Sequence, residues 1–551
     1  MKKTNLLLFF LVMAVGVFAQ WGATPDTPLV AGHNYRIYPS NVDQTEVFLV
    51  KSPLDQNILF AACNTITFVP FFISEGIFST TNGGLTWQGN DTCTGDPVGF
   101  HGGDPGIAID KNGTFILTRM GRSPYVGLYA HYSNDHGHTW SAQKAISTDD
   151  LERAALATDA GRSSSYYGRT YAVWVKFASP FPLMFSYTDN PALSWSAPKP
   201  VNSPTSRSAG GDLAVGPNGE LYACWAGVTD VSPFKEILVG FGSSVNGGAS
   251  WQVTENAFAV NGITGILASK NNIRVNGLPS IAADTTHGPR RGWLYIVTGQ
   301  KALAPAGSDP DIILYRSSDG GTSWSAGIRV NQDALNNGKT QYFPNIHIDK
   351  TGAVNVIFYD DRNTTNDSTG VFLARSTDGG TTWKEYEISD HHFAPAPIGG
   401  LGQGYQGDII DITSTDSTIH TVWMDNSTGV YQIWSAPVRF SALEAIGEKN
   451  NPAQPGLMQN YPNPFTSSTK IGFRTTTSGF VSLKIFDVVG TEIAGLVSEN
   501  LQPGYHEAEF APADPAYRLA LKSGVYLYRL QLNDRVETRK MLFLKEDRLI
   551  R

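Results

Sequence analysis

Ser317-Ser318-Asp319-Gly320-Gly321-Thr322-Ser323-Trp324 is the phrase on which the fold of this chain turns, because it does not occur alone. It returns as Ser79-Thr80-Thr81-Asn82-Gly83-Gly84-Leu85-Thr86-Trp87, as Ser133-Asn134-Asp135-His136-Gly137-His138-Thr139-Trp140, as Ser244-Val245-Asn246-Gly247-Gly248-Ala249-Ser250-Trp251 and as Ser376-Thr377-Asp378-Gly379-Gly380-Thr381-Thr382-Trp383. A decayed copy ends at Trp195. The six tryptophans are separated by 53, 55, 56, 73 and 59 residues, a period long enough for one four-stranded antiparallel sheet per repeat. Each residue type has a turn role: Asn or Asp accepts turn N–H groups, Gly supplies positive φ, and Trp buries its ring between sheets.

These copies resemble the Asp-box, or BNR repeat, of the sialidase-like β-propellers, and the resemblance spans roughly residues 28 to 441. It assigns Asn82, Trp87, Asp135, Trp140, Asn246, Trp251, Asp319, Trp324, Asp378 and Trp383 to scaffold, since turn chemistry accounts for them fully. Each repeat also carries a strand pair upstream of its box. Asp104-Pro105-Gly106-Ile107-Ala108-Ile109-Asp110 followed by Thr114-Phe115-Ile116-Leu117-Thr118-Arg119 is one such pair. The pairs start near Thr45, Asp104, Arg153, Asp212, Pro279, Pro344 and Asp408, which makes seven repeats against six boxes. The last lacks a fourth strand, and Asn34-Tyr35-Arg36-Ile37-Tyr38-Pro39 reads as the segment that completes it, removing an exposed edge. The expected fold is all-β: a propeller of six or seven blades, seven preferred, followed by a small β-sandwich.

That sandwich is read from a second set of phrases. After a linker at 442–456, Leu457-Met458-Gln459-Asn460-Tyr461-Pro462-Asn463-Pro464-Phe465 opens a module that continues through Val481-Ser482-Leu483-Lys484-Ile485-Phe486-Asp487, Leu501-Gln502-Pro503-Gly504-Tyr505-His506 and Ser523-Gly524-Val525-Tyr526-Leu527-Tyr528-Arg529-Leu530. It ends on Arg539-Lys540-Met541-Leu542-Phe543-Leu544-Lys545. Apolar and polar residues alternate along these strands. The segment is similar to the type IX secretion C-terminal sorting domain of Bacteroidetes, with Glu546 to Arg551 running past the usual last strand. The resemblance implies export across the outer membrane, with the secretion machinery as partner, to the surface or the exterior. Upstream, Lys2 and Lys3, the apolar run Leu6 to Val17 and the small residues before Gln20 read as a signal peptide over 1–19. That run is shorter than a bilayer requires, so no transmembrane anchor is expected, and the propeller is placed at 20–441.

Composition narrows the function classes. A formal net charge of −8 with only 16% charged residues argues against a nucleic-acid binder. Cys63, Cys93 and Cys224 show no metal-ligand spacing, although Cys63 and Cys93 fall in one repeat and one bridge between them stays open. No cofactor or metal is expected, a carboxylate-held structural calcium on the pore face being left open. A monomer is expected.

In a propeller whose box turns join third and fourth strands, ligands are expected on the opposite face, at the starts of first strands and the ends of second strands. That face offers Arg119, Arg122, Tyr359, Asp360, Asp361, Arg362, Trp423 and Asp425 from second strands, and Glu46, Asp104, Glu152, Arg153, Asp212 and Asp408 from first strands. Arginine forks, carboxylates and aromatic faces around a pocket suit a hydroxylated or acidic glycan. The sialidase family uses three arginines, a Tyr nucleophile assisted by Glu, and an Asp acid. Its first arginine phrase resembles Tyr35-Arg36-Ile37-Tyr38-Pro39, but here a Tyr is inserted, and the matching inner strand, Thr45-Glu46-Val47-Phe48-Leu49, has no arginine. The leading expectation is therefore a glycan-binding propeller. The alternative is an exo-acting glycoside hydrolase of sialidase type, with Asp360, Asp361 or Asp425 as acid or base and Arg119, Arg122 and Arg362 on the substrate.

Overall fold

The computed structural model describes residues 29–68, 71–91, 101–191, 194–364 and 367–440, together with 456–457, 460, 463, 465–475, 477–502, 504–512, 521–532 and 535–545. The signal-peptide reading, Cys93, nearly all of the linker and the tail past Lys545 lie outside these residues. The chain divides into two units, Met1–Glu444 and Ala445–Arg551.

In the first unit, short β-branched and aromatic runs alternate with Gly-containing turns, and each group of four runs closes into one antiparallel meander. Sheet one comprises Asp43–Lys51, Leu59–Phe68, Phe71–Thr80 and Gln88–Asn90, and sheet two His101–Ile109, Phe115–Gly121, Gly127–Ser133 and Lys144–Ser147. Sheets three to six begin at Ala155–Thr158, Ser208–Val215, Ser280–Ala283 and Gln341–Ile348 and repeat this order. Sheet seven comprises Asp411–Ser414, Thr418–Asp425 and Gln432–Phe440, and its outer strand comes from the other end of the unit: Val30 pairs Arg439 and Tyr35 pairs Ser435. Among the described residues this gives seven sheets. The first strand of each neighbours those of the sheets before and after it, and that of sheet seven neighbours that of sheet one, so the series is a closed propeller ring. The described residues contain no α-helix. The long interval between Trp251 and Trp324 has a cause the repeats did not reveal: a hairpin, Gly265–Leu267 with Ile273–Val275, is inserted between sheets four and five.

Apolar side chains from facing sheets meet between blades. Phe60 of sheet one stacks on Phe115 of sheet two at 4.6 Å, and both are fully buried. Truncating such a ring to Ala costs about 3–5 kcal/mol. The Trp-ended turns lie at one end of the sheets and do two jobs at once. Within each, the Asn or Asp carbonyl or carboxylate accepts a backbone N–H four residues on, at 2.9–3.0 Å, from Thr86, Thr139, Ser250, Ser323 and Thr382. Across the seam, Trp251 packs edge-on against Phe185 and Trp324 against Phe241, both at 5.3 Å. The second glycine permits this approach: Gly321 sits at φ 88°, and a Cβ there would stand 2.1 Å from the Phe241 ring. In the second copy His136 adopts the left-handed conformation, φ 59°, that glycine holds elsewhere.

In the second unit, Gly479–Phe486 buries Val481, Leu483 and Ile485 on one face, and Gly524–Leu532 buries Tyr526, Tyr528, Leu530 and Leu532. These strands belong to a four-stranded sheet flanked by Glu492–Leu501 and Arg535–Phe543. A second sheet, Gly456–Leu457, Thr469–Thr475 and Gly504–Phe510, supplies Ile471, Phe473 and Phe510 to the same core. This is the expected β-sandwich.

Candidate functional site

The end of the ring opposite the Trp-ended turns is built by an irregularity that recurs in four sheets. The first strand opens with a bulge whose residue has positive φ: Glu46 at 55°, Asp104 at 53°, Gly210 at 53° and Phe343 at 52°. For a residue with a Cβ this conformation costs roughly 1–2 kcal/mol, and such strain gathers where function constrains the backbone. Two of the three non-glycine residues placed there are acidic.

Around them a cluster forms at the mouth of the channel. The Tyr405 hydroxyl lies beside the Glu46 carboxyl, 3.1 Å from Thr45 Oγ1, and accepts Asn64 Nδ2 at 3.2 Å. Asn64 holds Asp104 twice, accepting its backbone N–H at 2.5 Å and donating to its Oδ1 at 3.1 Å. The Arg274 guanidinium stands 5.3 Å over the Tyr405 ring and 3.5 Å from Asp408, which also accepts Asn276 Nδ2 at 2.7 Å. Glu152 accepts the Gly210 N–H at 2.9 Å. Burial raises the acids: Asp104 is pushed up to about 6, with Asp408 adding to the rise, and Glu46 is pushed well above the carboxylate range by burial and then by Asp408 and Asp104. Burial likewise lifts Glu152 and the Tyr405 phenol. The mouth therefore crowds acids that burial makes reluctant to ionise beside the Arg274 cation, and below about pH 6 Asp104 presents a hydroxyl donor there.

Below the mouth a cavity of about 390 Å³ follows the axis, lined by Phe48, Arg153, Asp212, His347, Asp408 and Asp411 among others. Here the acids are fasteners. Asp212 reaches from sheet four to accept Ile281 N–H and Ser280 hydroxyl of sheet five, both at 2.9 Å. Asp411 of sheet seven accepts Leu49 N–H of sheet one at 2.7 Å, and Asn345 of sheet six donates to Ile410 O at 2.9 Å. Arg153 differs: its guanidinium lies 5.1 Å over the Phe48 ring, and among the described residues it meets no hydrogen-bond acceptor.

The structure brings together Asp104, Arg153, Asp212 and Asp408 along the axis and places the other candidates elsewhere. Arg119 is buried within sheet two, donating to His131 at 3.1 Å and Gln143 at 2.5 Å. Arg122 is exposed. Tyr359 donates to Met424 O at 2.7 Å across the seam between sheets six and seven, and Trp423 is wholly buried. Asp360 accepts Arg362, whose fork closes on Glu385 with two bonds of 2.7 Å. Asp361 pairs with buried Lys270 of the inserted segment at 2.6 Å. Asp425 accepts His391 at 2.7 Å, and that imidazole, also bonded to Asp390, is raised to about 9 by the two carboxylates. Tyr405 and Arg274 were missed by sequence reasoning because both sit outside the repeat, Tyr405 on an irregular segment and Arg274 on the second strand of the inserted hairpin. The repeated Gly-x-Gly-x-Gly spacing of Gly400, Gly402 and Gly404 before Tyr405 was the available signal.

Among the described residues no group of His, Cys, Asp and Glu has a geometry that holds a metal, and no helix is long and apolar enough to cross a membrane. Cys63 and Cys224 are buried free thiols.

Residues 459–544 match the family described as the secretion system C-terminal sorting domain. No curated protein matches the chain in sequence. Solved structures of similar fold include an ulvan lyase of a polysaccharide lyase family, 11% identical over 72% of this chain and 95% of that chain with a TM-score of 0.47. They also include the intramolecular trans-sialidase from Ruminococcus gnavus, 13% identical over 58% and 92% with a TM-score of 0.38. The α-L-arabinanase of Penicillium chrysogenum is 11% identical over 62% and 98% with a TM-score of 0.39.

Proposed function

We propose that this chain is an exported Asp-box propeller that binds glycans or glycoconjugates at the mouth of its axial channel, delivered by the type IX machinery through its C-terminal sorting domain to the surface or the exterior. The observation that carries the reading is the meeting of Glu46, Asp104, Asp408, Arg274 and Tyr405 at one end of the ring. Carboxyls and a guanidinium together bond sugar hydroxyls, the guanidinium also takes acidic substituents, and the Tyr405 ring adds an apolar edge.

Glu46 and Tyr405 also support a second reading, hydrolysis, because a carboxyl beside a phenol is the pair a tyrosine nucleophile requires. Binding is favoured over it on a physical ground. Burial penalises both the Glu46 carboxylate and the Tyr405 phenolate, so the charged forms through which a tyrosine nucleophile is activated are disfavoured there. The test is to incubate the full chain with sialylated, uronic and neutral glycans and follow retention and products by mass spectrometry. Retention without product, weakened by Asp408→Asn, is expected; release of a sugar that Tyr405→Phe abolishes would replace binding by hydrolysis.

A further inference from the structure

Three consecutive connections between second and third strands repeat a phrase: Ser123-Pro124-Tyr125, Ser179-Pro180-Phe181 and Ser232-Pro233-Phe234. Each closes the same tight turn, with the aromatic N–H bonded three residues back to Arg122, Ala178 and Val231 at 2.7, 2.7 and 2.8 Å. These turns lie on the face that carries the mouth, and they leave apolar surface in water: Phe177 is 40% exposed, Phe234 37% and Val231 71%. Exposed aromatic rings gathered on one face of a soluble protein mark a contact surface.

Between the turns of sheets three and four lies Arg207. Its guanidinium stands 4.3 Å over the Phe181 ring, 4.4 Å over Phe234 and 5.7 Å over Phe177. Rings fix the plane of the fork. Yet among the described residues its nitrogens meet no hydrogen-bond acceptor and no carboxylate at ion-pair distance, whereas Arg329 and Arg362 are each held by two or more carboxylates. A guanidinium that is oriented but has no acceptor is ready for an anion. The platform is continuous with the mouth: the field of Arg207 reaches Glu152, and Glu152 bonds Gly210, three residues beyond Arg207.

We propose that Phe177, Phe181, Phe234 and Arg207 form a second sugar subsite, so that the ligand of the mouth is a chain of several units of an acidic polysaccharide rather than a single terminal sugar. One sugar ring packs against the exposed sides of Phe177 and Phe234 that Arg207 leaves uncovered, while its carboxylate or sulfate group takes the Arg207 fork, and a neighbouring unit occupies the mouth. The inference rests on the glycan-binding reading above and extends it from a residue to a chain.

The experiment is calorimetric titration of the full chain with graded oligomers, from monomer to hexamer, of galacturonate, which carries only carboxylates, of carrageenan, which carries only sulfates, and of neutral xylose. The expected result is an affinity that rises about tenfold from monomer to tetramer for one acidic series, the gain of a single well-made subsite. Arg207→Gln and Phe234→Ala each remove that gain and leave monomer affinity in place, and Arg207→Lys recovers part of it. Phe234→Ala changes only an exposed ring, so it carries the test should Arg207→Gln fail to fold. A length gain unchanged in both variants, or monomer binding with no length gain, overturns the platform and leaves the mouth reading standing. A gain confined to the xylose series overturns the acidic ligand class. No binding of any series overturns both readings.

Discussion

The two ends of the propeller solve opposite problems with similar residues. At the end of the Trp-ended turns, polar groups come in repeats and recur in the same short hydrogen bonds, from Asn82 to Asp378. At the other end no two sheets contribute the same set of side chains, burial raises the crowded acids of the mouth, and Arg153 below it and Arg207 beside it are oriented by rings without an acceptor. Repeated polar groups make scaffold, even though the ring N–H groups of Trp251, Trp324 and Trp383 are buried there without a partner; oriented cations without an acceptor leave capacity for a ligand.

The largest effect that separates the ends belongs to the scaffold. Gly321→Ala forces a side chain into the left-handed region and against Phe241, and should lower stability by about 2–4 kcal/mol in denaturant unfolding. Gly137, where the nearest atom to a new Cβ is 3.7 Å away, bears only the backbone part of that penalty, about 1–2 kcal/mol. Equal losses at the two positions would remove the role given to the interblade contact.

At the mouth the ordering reverses. Arg153→Gln should lower the unfolding midpoint less than a fastener does, because among the described residues the side chain makes no hydrogen bond and loses only the Phe48 ring and its attraction to Asp104, Glu152, Asp212 and Asp411, and it should weaken retention of acidic glycans about tenfold. Arg362→Gln, cut out of its bonds to Asp360 and Glu385, should do the converse, lowering stability and sparing retention. A variant of Arg153 that unfolds the protein would place the channel among the fasteners.

How much of this was legible follows from the same contrast. Repetition wrote the turns, the blade period and the closing strand at Tyr35 into the sequence, because each copy solves one local problem and the copies can be aligned with one another. The mouth sets unlike side chains on a bulge that four sheets share and adds segments that no other blade has. Asp104, Arg153, Asp212 and Asp408 could be placed by counting repeats, but Asp212 proved to tie sheet four to sheet five, a partnership set by backbone N–H groups that composition does not reveal. Asp360, Asp361 and Arg362 looked chemically richest, yet the tripeptide gives no sign of Glu385 and Lys270, which engage it from elsewhere in the chain. Tyr405 and Arg274 belong to segments with no counterpart in other blades, so no pattern pointed to them.

The pH dependence of binding sharpens the comparison further. Asp104 has an ordinary carboxyl value of 3.8 and is raised to about 6, so the folded protein keeps a proton there that the unfolded chain releases, and its contribution to stability is full below about pH 4 and lost as pH rises through about 6. The charge that then appears repels an acidic ligand. Retention of acidic glycans should therefore fall several-fold between about pH 5 and 7, and Asp104→Asn should flatten that fall. The Trp-ended turns titrate in the other direction: hydrogen bonds from Thr139 and Ser323 hold Asp135 and Asp319 down to about 2, leaving both ionised over the same range. A fall in retention that persists in Asp104→Asn would assign it to other acids of the mouth.

The smallest expected effect tests what the repeated turn requires. His136 occupies the position of the first glycine of the pair and holds φ 59° with its ring 5.8 Å from Phe115, while its backbone carbonyl accepts Ser79 of the neighbouring sheet at 2.7 Å. His136→Gly relieves roughly 1 kcal/mol of backbone strain, but glycine loses about as much more conformational freedom on folding, and the contact with Phe115 goes. The two terms offset, and thermal unfolding should shift by less than the equivalent of about 0.5 kcal/mol. Gly320→His should cost about 1–2 kcal/mol, because it puts a residue with a Cβ into the left-handed region at φ 71°, although a Cβ there meets nothing nearer than 4.0 Å. A large gain from His136→Gly would mean that the left-handed backbone is strained in the second copy and that the turn selects glycine itself; a shift near zero means that it selects the conformation, which His supplies with help from a neighbouring ring.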